Sequence, residues 1–131
     1  MQPERWALIV DDVASGRLLA EKYLQRLGWQ TVSVASGEQA LAIIGEHPFC
    51  LILLDISMPG LSGEETCAGL RALPQGRALR IVAYTAHAFP EERERFLASG
   101  FDEVLVKPVE RAALAAVVAT VFPPATDDRA G

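Results

Sequence analysis

The fold class is decided by one stretch, Cys50-Leu51-Ile52-Leu53-Leu54-Asp55, in which five successive apolar residues end at a carboxylate. A strand that is apolar at every position, not only at alternate ones, is typical of a parallel strand buried on both faces. The run Trp6-Ala7-Leu8-Ile9-Val10 repeats this pattern and ends at Asp11-Asp12. The two runs together predict a parallel sheet whose strands end in polar groups.

Three further segments complete the predicted sheet. Ile81–Tyr84 ends at Thr85, Val104–Val106 ends at Lys107-Pro108, and the more polar run Thr31–Val34 suits an outer strand. Apolar residues at helical spacing lie after each strand, and they predict helices over residues 18–27, 36–44, 63–73, 90–99 and 110–121. Strict alternation of strand and helix predicts an α/β fold, a doubly wound (βα)5 three-layer sandwich.

The composition excludes several classes of protein. The chain has 131 residues, half of them hydrophobic and 22% charged, which is typical of one folded domain and not of a disordered chain. A net charge of -5 without a cluster of Lys and Arg argues against nucleic-acid binding. Two cysteines are too few for a disulfide framework, and no signal peptide or membrane-spanning run is present. We therefore expect a cytoplasmic protein without a membrane partner.

Four of the five predicted strands end in polar side chains. In an open parallel sheet, ligands bind outside the carboxyl ends of the strands, so these side chains are expected to meet at one edge. Three carboxylates, Asp11, Asp12 and Asp55, repel one another unless a cation lies between them. Oxygen ligands without His or Cys favour Mg²⁺. The ammonium of Lys107 and the hydroxyl of Thr85 suit the oxygens of a bound phosphoryl group.

Each of these residues has a simpler interpretation when it is taken alone. An Asp after a strand usually caps the following helix, a Thr at a strand end is an ordinary β-former, and a Lys-Pro pair usually marks a turn. The occurrence of all of them at the strand ends of one sheet favours a site that binds Mg²⁺ and phosphate.

These residues resemble the receiver domain of two-component response regulators, over about Trp6 to Phe122. The motifs that carry the resemblance are Asp11-Asp12, Asp55-Ile56-Ser57-Met58-Pro59 with Gly60 and Gly63, Thr85-Ala86, and Lys107-Pro108. The resemblance implies a flavodoxin-like parallel five-stranded sheet of order 2-1-3-4-5. It also implies a receiver domain over residues 1–122, which leaves residues 123–131 as a short polar C-terminal tail.

The resemblance also implies a role for each residue of the motifs. Asp55 would be the phosphoacceptor, and Mg²⁺ would be held by Asp12 directly, by Asp11 through water, by Asp55 and by the backbone carbonyl of Ser57. Lys107 and Mg²⁺ would neutralise the charge of the transferring phosphoryl oxygens. Thr85 would move toward the bound phosphoryl group and carry its loop with it.

Four other positions concern how long the phosphoryl group lasts and how it is sensed. Ser57, Ala86 and His87 occupy positions that would modulate its lifetime, and His87 is expected to make dephosphorylation pH-dependent. An ordinary exposed loop histidine is the simpler interpretation of His87. Receivers usually carry Tyr or Phe three residues before the lysine, where this chain has Val104, so we expect a different output switch.

The expected function is that of a single-domain response regulator, which is not an enzyme. It would accept a phosphoryl group from a phosphohistidine on a sensor histidine kinase or a histidine phosphotransfer protein. Only one helix and the tail follow Lys107-Pro108, so output is expected through a protein surface to a downstream target that the sequence does not name. The face of the fourth helix, fifth strand and fifth helix carries small residues and is a candidate partner or homodimer surface: Ala112, Ala113, Ala115 and Ala116.

The same residues leave two alternative functions open and disfavour two others. The chain could be the receiver portion of a hybrid histidine kinase, or a pseudo-receiver that binds a partner without being phosphorylated. A small aspartyl-phosphate phosphatase is disfavoured because Ser57 stands where such enzymes carry a second Asp. A flavodoxin-like electron carrier is disfavoured because no Ser/Thr-rich phosphate loop follows the first strand.

Overall fold

The computed structural model describes residues 4–121, in which strands and helices alternate along the chain. The strands are β1 Trp6–Val10, β2 Gln30–Val34, β3 Phe49–Asp55, β4 Arg80–Thr85 and β5 Glu103–Val106. The helices are α1 Ala14–Arg26, α2 Gly37–Ile43, α3 Gly63–Arg71, α4 Pro90–Ala98 and α5 Arg111–Val118. A single 3-10 turn, Gly76–Ala78, precedes β4. The predicted polar tail, residues 123–131, lies outside the described residues.

The five strands form one parallel sheet in the order β2-β1-β3-β4-β5, which confirms the predicted fold class and strand order. All seven residues of β3 are buried, as a central strand covered on both faces requires. In the register between β1 and β3, Val10 lies opposite Leu54. The residues that follow, Asp11 and Asp55, are therefore neighbours at the carboxyl edge of the sheet.

Two hydrophobic clusters cover the two faces of the sheet. Successive strand residues alternate between the faces, so Ile9 and Leu53 belong to one cluster while Leu8 and Ile52 belong to the other. The first cluster is completed by residues of α1 and α5, including Leu24 and Leu114. The second is completed by residues of α2, α3 and α4, including Ala40, Leu70 and Phe96. The result is the predicted three-layer sandwich.

The helices form where the sequence predicted them, but some of their ends differ, since α1 begins at Ala14 and not at residue 18, and α3 ends at Arg71 and not at residue 73. Ser36 caps α2, because its Oγ accepts a hydrogen bond from the Gln39 N–H at 3.1 Å, and Pro90 occupies the first turn of α4. The predicted extension of α5 to Val121 is wrong, since the helix ends at Val118. Beyond that residue the N–H of Val121 bonds to the Val118 carbonyl at 3.0 Å, in a tighter turn. Val121 is still buried, which explains why its apolar character mimicked a helical position.

The amino end of the sheet is held by Arg71, the last residue of α3. Its guanidinium donates hydrogen bonds to the carbonyls of Gly76 at 2.7 Å, Leu79 at 2.7 Å and Gly100 at 2.7 Å. It also bonds to Asp102 Oδ2 at 2.6 Å. Sequence reasoning did not identify this cluster, which ties α3 to the turns before β4 and β5. None of the helices between residues 4 and 121 is both long enough and apolar enough to cross a membrane.

Candidate functional site

Three carboxylates meet at the carboxyl edge of the sheet, as the strand ends predicted. Asp11, Asp12 and Asp55 each offer an oxygen atom, and these oxygens lie within 4.8 Å of one another. Asp11 and Asp55 are only 1% and 2% exposed, whereas Asp12 is exposed. The cluster is therefore buried on the side of the sheet and open to solvent on the side of Asp12.

The Asp11 side chain is held by its own loop and helix. Its Oδ1 accepts a hydrogen bond from the Val13 N–H at 2.9 Å, and its backbone carbonyl accepts one from Arg17 Nη1 at 2.6 Å. Its Oδ2 is buried and has no hydrogen-bond partner among residues 4–121. Gly16 leaves the space that this oxygen needs, because a Cβ there would lie 2.5 Å from Asp11 Oδ2. Sequence reasoning did not assign Gly16 to the site, since only the folded helix brings it over the carboxylate.

The Asp55 carboxylate is positioned by one backbone group and one ammonium. Its Oδ1 accepts a hydrogen bond from the Ser57 N–H at 3.1 Å, and its Oδ2 lies 3.2 Å from Lys107 Nζ. Burial raises the pKa of Asp55 to about 6, although the attraction of Lys107 opposes that change. At neutral pH the group is mainly ionised, and a second cation beside it would lower its electrostatic cost.

Lys107 lies between the two buried carboxylates. Its Nζ is 3.2 Å from Asp55 Oδ2 and 3.6 Å from Asp11 Oδ2. Burial by itself would lower the pKa of Lys107, but the carboxylates of Asp55 and Asp11 outweigh it and the pKa is raised. The side chain is therefore a fixed positive charge at neutral pH. Its backbone N–H bonds to the Thr85 carbonyl at 2.7 Å, which joins the ends of β4 and β5.

The other predicted site residues lie around this cluster at different depths. Thr85 is 9% exposed and ends β4, next to β5. Ala86 and His87 follow in an exposed loop, where the His87 ring stacks on Phe89 with centroids 5.7 Å apart. Val104 is buried in the cluster formed by α2, α3 and α4, so the position expected to carry an aromatic ring holds a small core side chain.

The loop after Asp55 is packed tightly against α3. The N–H of Gly63 bonds to the Ile56 carbonyl at 3.2 Å, and a Cβ on Gly63 would lie 2.5 Å from the Asp55 carbonyl oxygen. Only glycine fits between the first turn of α3 and the backbone of Asp55. The glycine of the sequence motif is therefore a packing requirement of the site.

The carboxylate oxygens of this cluster are suitable ligands for a small, hard cation. All three acidic side chains offer oxygen, and the buried Oδ2 of Asp11, which accepts no hydrogen bond from residues 4–121, is an acceptor that a cation would satisfy. A divalent ion with several remaining water positions, such as Mg²⁺, suits two buried carboxylates and one exposed carboxylate. The residues that would hold it are Asp11, Asp12 and Asp55, with Ser57 in the adjoining loop.

The sheet order and the edge cluster define a flavodoxin-like α/β protein with a candidate metal site at its carboxyl edge. Comparison with known families is more specific, because the model of the response regulator receiver domain matches residues 7–119. The chain therefore belongs to the response regulator receiver domain family of two-component systems, as the sequence motifs predicted. Receiver domains are signalling modules.

The curated relatives that this chain resembles include sensor kinases. It is 38% identical to the sensor protein GacS of Pseudomonas syringae pv. syringae over 114 residues, which are 85% of this chain and 13% of that protein. It is 40% identical to the sensor histidine kinase AruS of Pseudomonas aeruginosa over 104 residues, which are 78% of this chain and 10% of that protein. The chain thus spans only a small part of these relatives.

Solved structures show the same fold. The chemotaxis protein CheY4 of Vibrio cholerae superimposes with a TM-score of 0.85 at 29% identity, covering 92% of this chain and 100% of that one. The receiver domain of a sensor histidine kinase from Pseudomonas aeruginosa, described with a magnesium ion coordinated in the active site cleft, has a TM-score of 0.79 at 32% identity. That match covers 88% of this chain and 95% of the other.

Proposed function

We propose that this receiver accepts a phosphoryl group on Asp55 from a phosphohistidine donor, in a reaction that depends on Mg²⁺. The observation that supports the proposal is the position of Asp55, whose Oδ2 lies 3.2 Å from the Lys107 ammonium within a cluster of three carboxylates. A buried carboxylate that shares an ammonium with a second carboxylate costs stability, so its arrangement calls for a function at this edge.

The chemistry follows from the charges at the site. An Asp55 oxygen forms a bond to phosphorus while the bond between phosphorus and the donor imidazole nitrogen breaks, and the leaving imidazole takes a proton from solvent. With a pKa of about 6, Asp55 is mainly the nucleophilic carboxylate at neutral pH. Lys107 would face the charge that develops on the phosphoryl oxygens, and Asp11 and Asp12 would hold the metal. When bound, Mg²⁺ would supply the remaining charge compensation.

The residues around the acceptor would set the lifetime of the acyl phosphate and its output. Thr85 ends the strand beside Lys107, and its hydroxyl would donate a hydrogen bond to the phosphorylated side chain. Ser57, Ala86 and His87 are proposed to modulate access of water to it. With Val104 in the core, the switch would rely on the loop after β4 and not on a rotating ring at that position.

The proposed donor is a sensor histidine kinase or a histidine phosphotransfer protein, because the curated relatives are sensor kinases. Output would pass to a protein target through the face of α4, β5 and α5. Val106 and Leu97 are 47% and 45% exposed on that face, which would also serve a homodimer. A net charge of -5 disfavours binding to nucleic acid, so we propose a protein target.

We also propose that the chain works as a separate regulator. The structural match covers the whole of the Vibrio cholerae chemotaxis protein and 95% of the kinase receiver domain, so the size of the protein in cells decides between the two. An antibody against this chain should then detect a band near 14.1 kDa in the source cells. A band of sensor-kinase size alone would show instead that this receiver belongs to a hybrid kinase.

Intact mass spectrometry tests the acceptor. The protein is incubated with Mg²⁺ and a small acyl-phosphate donor, and the wild type should gain one phosphoryl group. Asp55→Asn and a chelated sample should gain none, whereas the exposed control Glu46→Gln should behave like the wild type. Absence of a gain with this donor and with a panel of phosphorylated histidine kinases would favour a binding module that works without phosphorylation.

A further inference from the structure

Tyr84 is a buried tyrosine beside the site, and the proposed chemistry does not use it. It precedes Thr85 in β4, so its side chain points to the opposite face of the sheet, into the cluster formed with α1 and α5. It is 2% exposed, and its hydroxyl accepts a hydrogen bond from the backbone N–H of Val109 at 3.0 Å. Burial raises the pKa of the phenol, so the group stays neutral.

This hydrogen bond holds the loop that carries Lys107. The loop leaves β5, passes through a cis peptide bond between Lys107 and Pro108, and enters α5 at Arg111. Lys107 is held before the proline by its N–H bond to the Thr85 carbonyl at 2.7 Å. Val109 is held after it by the Tyr84 hydroxyl. Two successive residues of β4 therefore fix both sides of the loop, one through its backbone and one through its side chain.

The Tyr84 ring also contacts the lysine side chain directly. Lys107 Nζ lies 5.1 Å from the centroid of the ring, within the range of a cation–π interaction. A lysine side chain has four rotatable bonds, and its ammonium acts as a point charge whose effect depends on where it lies. The ring therefore limits the positions that the ammonium can take.

We propose that Tyr84 is a positioning residue for Lys107 in phosphoryl transfer to Asp55. The hydroxyl sets the position of the loop, and the ring limits the position of the ammonium. A misplaced charge loses transition-state stabilisation even when the protein stays folded, so the effect should appear in the rate. The inference rests on the proposed function of Asp55.

Two substitutions separate the two contacts. Tyr84→Phe keeps the ring and removes the hydroxyl, and we expect phosphorylation by the acyl-phosphate donor to slow by about 5-fold. Tyr84→Leu removes both contacts, and we expect a loss of at least about 10-fold. Tyr23→Phe is the control, because Tyr23 packs against the same core cluster from α1. It should leave the rate unchanged.

A cycle with Lys107→Ala distinguishes positioning from general structural support. If Tyr84 acts through the ammonium, Tyr84→Phe should cause no further slowing in the Lys107→Ala protein, measured by mass over long incubations. The same fractional slowing in both backgrounds would overturn the proposal. A wild type that gains no phosphoryl mass would refute the proposed function of Asp55 itself. Equal phosphorylation rates in the wild type, Tyr84→Phe and Tyr84→Leu would refute only the role of Tyr84.

A second measurement tests the position of the Lys107 ammonium over the Tyr84 ring without any phosphorylation reaction. The chain has two lysines, Lys22 and Lys107, and reductive methylation with ¹³C labels both for NMR. The methyl protons on Lys107 should be shifted upfield by the tyrosine ring, relative to those on the exposed Lys22. Tyr84→Phe should keep this shift and Tyr84→Leu should abolish it. Identical Lys107 signals in the wild type and Tyr84→Leu would show that the ring does not position the ammonium.

Discussion

Replacing Asp55 by Asn should stabilise the metal-free protein at neutral pH, although it removes the proposed phosphoacceptor. The carboxyl group is 2% exposed, and burial raises its pKa from its ordinary value of 3.8 to about 6. An acid whose pKa is raised by folding binds its proton more tightly in the folded state. Its ionisation therefore destabilises the fold as pH rises from about 4 through 6, and the cost is complete above that range.

The size of the effect follows from the pKa values. The raised pKa of Asp55 lowers the free energy of unfolding by about 3 kcal/mol at pH 8. At pH 5 the loss is roughly half of that, because the carboxyl group of the folded protein is still mostly protonated. Asn carries no charge at either pH but places an amide next to the Lys107 ammonium. We therefore expect Asp55→Asn to raise the free energy of unfolding by about 1–3 kcal/mol at pH 8 and by clearly less at pH 5.

Urea unfolding followed by circular dichroism, at both pH values and in the presence of a chelator, measures this gain. Adding Mg²⁺ at pH 8 should reduce the difference in stability between Asp55→Asn and the wild type, because a ligand that binds the folded wild type raises its free energy of unfolding. The exposed control Glu46→Gln should show no pH-dependent gain. A variant less stable than the wild type at pH 8, or a gain of equal size at both pH values, would refute the electrostatic reasoning.

Three further substitutions test other parts of the structure. Gly16→Ala should weaken Mg²⁺ binding by at least about 10-fold, measured by calorimetry, because its Cβ would lie 2.5 Å from Asp11 Oδ2 and displace that carboxylate. Arg71→Met should lower the free energy of unfolding in urea by about 3 kcal/mol, since it removes the partly buried guanidinium that bonds to three carbonyls and to the Asp102 carboxylate. His87→Ala should change the acyl-phosphate lifetime, followed by mass between about pH 5.5 and 8, if the imidazole governs access of water.

Each of these predictions has a control or a contradicting outcome. Unchanged Mg²⁺ affinity in Gly16→Ala would show that Asp11 does not depend on the space over its carboxylate. Arg95→Met is the control for Arg71, because the Arg95 side chain is 56% exposed and its ion pair with Glu64, at 3.3 Å, lies at the surface. Comparable losses in the two arginine variants would contradict the structural account. An unchanged lifetime over the whole pH range would leave His87 an ordinary exposed loop residue.

Local sequence was sufficient for the elements and for the edge of the sheet that carries the site. The apolar runs before Asp11 and Asp55 predicted central strands because both faces of a parallel strand are buried. The polar residues that follow could then be assigned to one edge without knowing any distance. The end of α5 was less predictable, because Val121 is buried by a turn and not by a helix, and burial alone does not distinguish the two.

The fold class and the residue types that meet at the carboxyl edge follow from the order of residues along the chain, and the strand order follows from the family resemblance. The packed structure is needed to see that Gly16 makes room for Asp11, that Tyr84 holds Lys107, and that Arg71 bonds across 29 residues to Gly100. These contacts join residues on different elements. Periodicity and local propensity report only the environment of each element, whereas the distances between elements depend on how their side chains pack together.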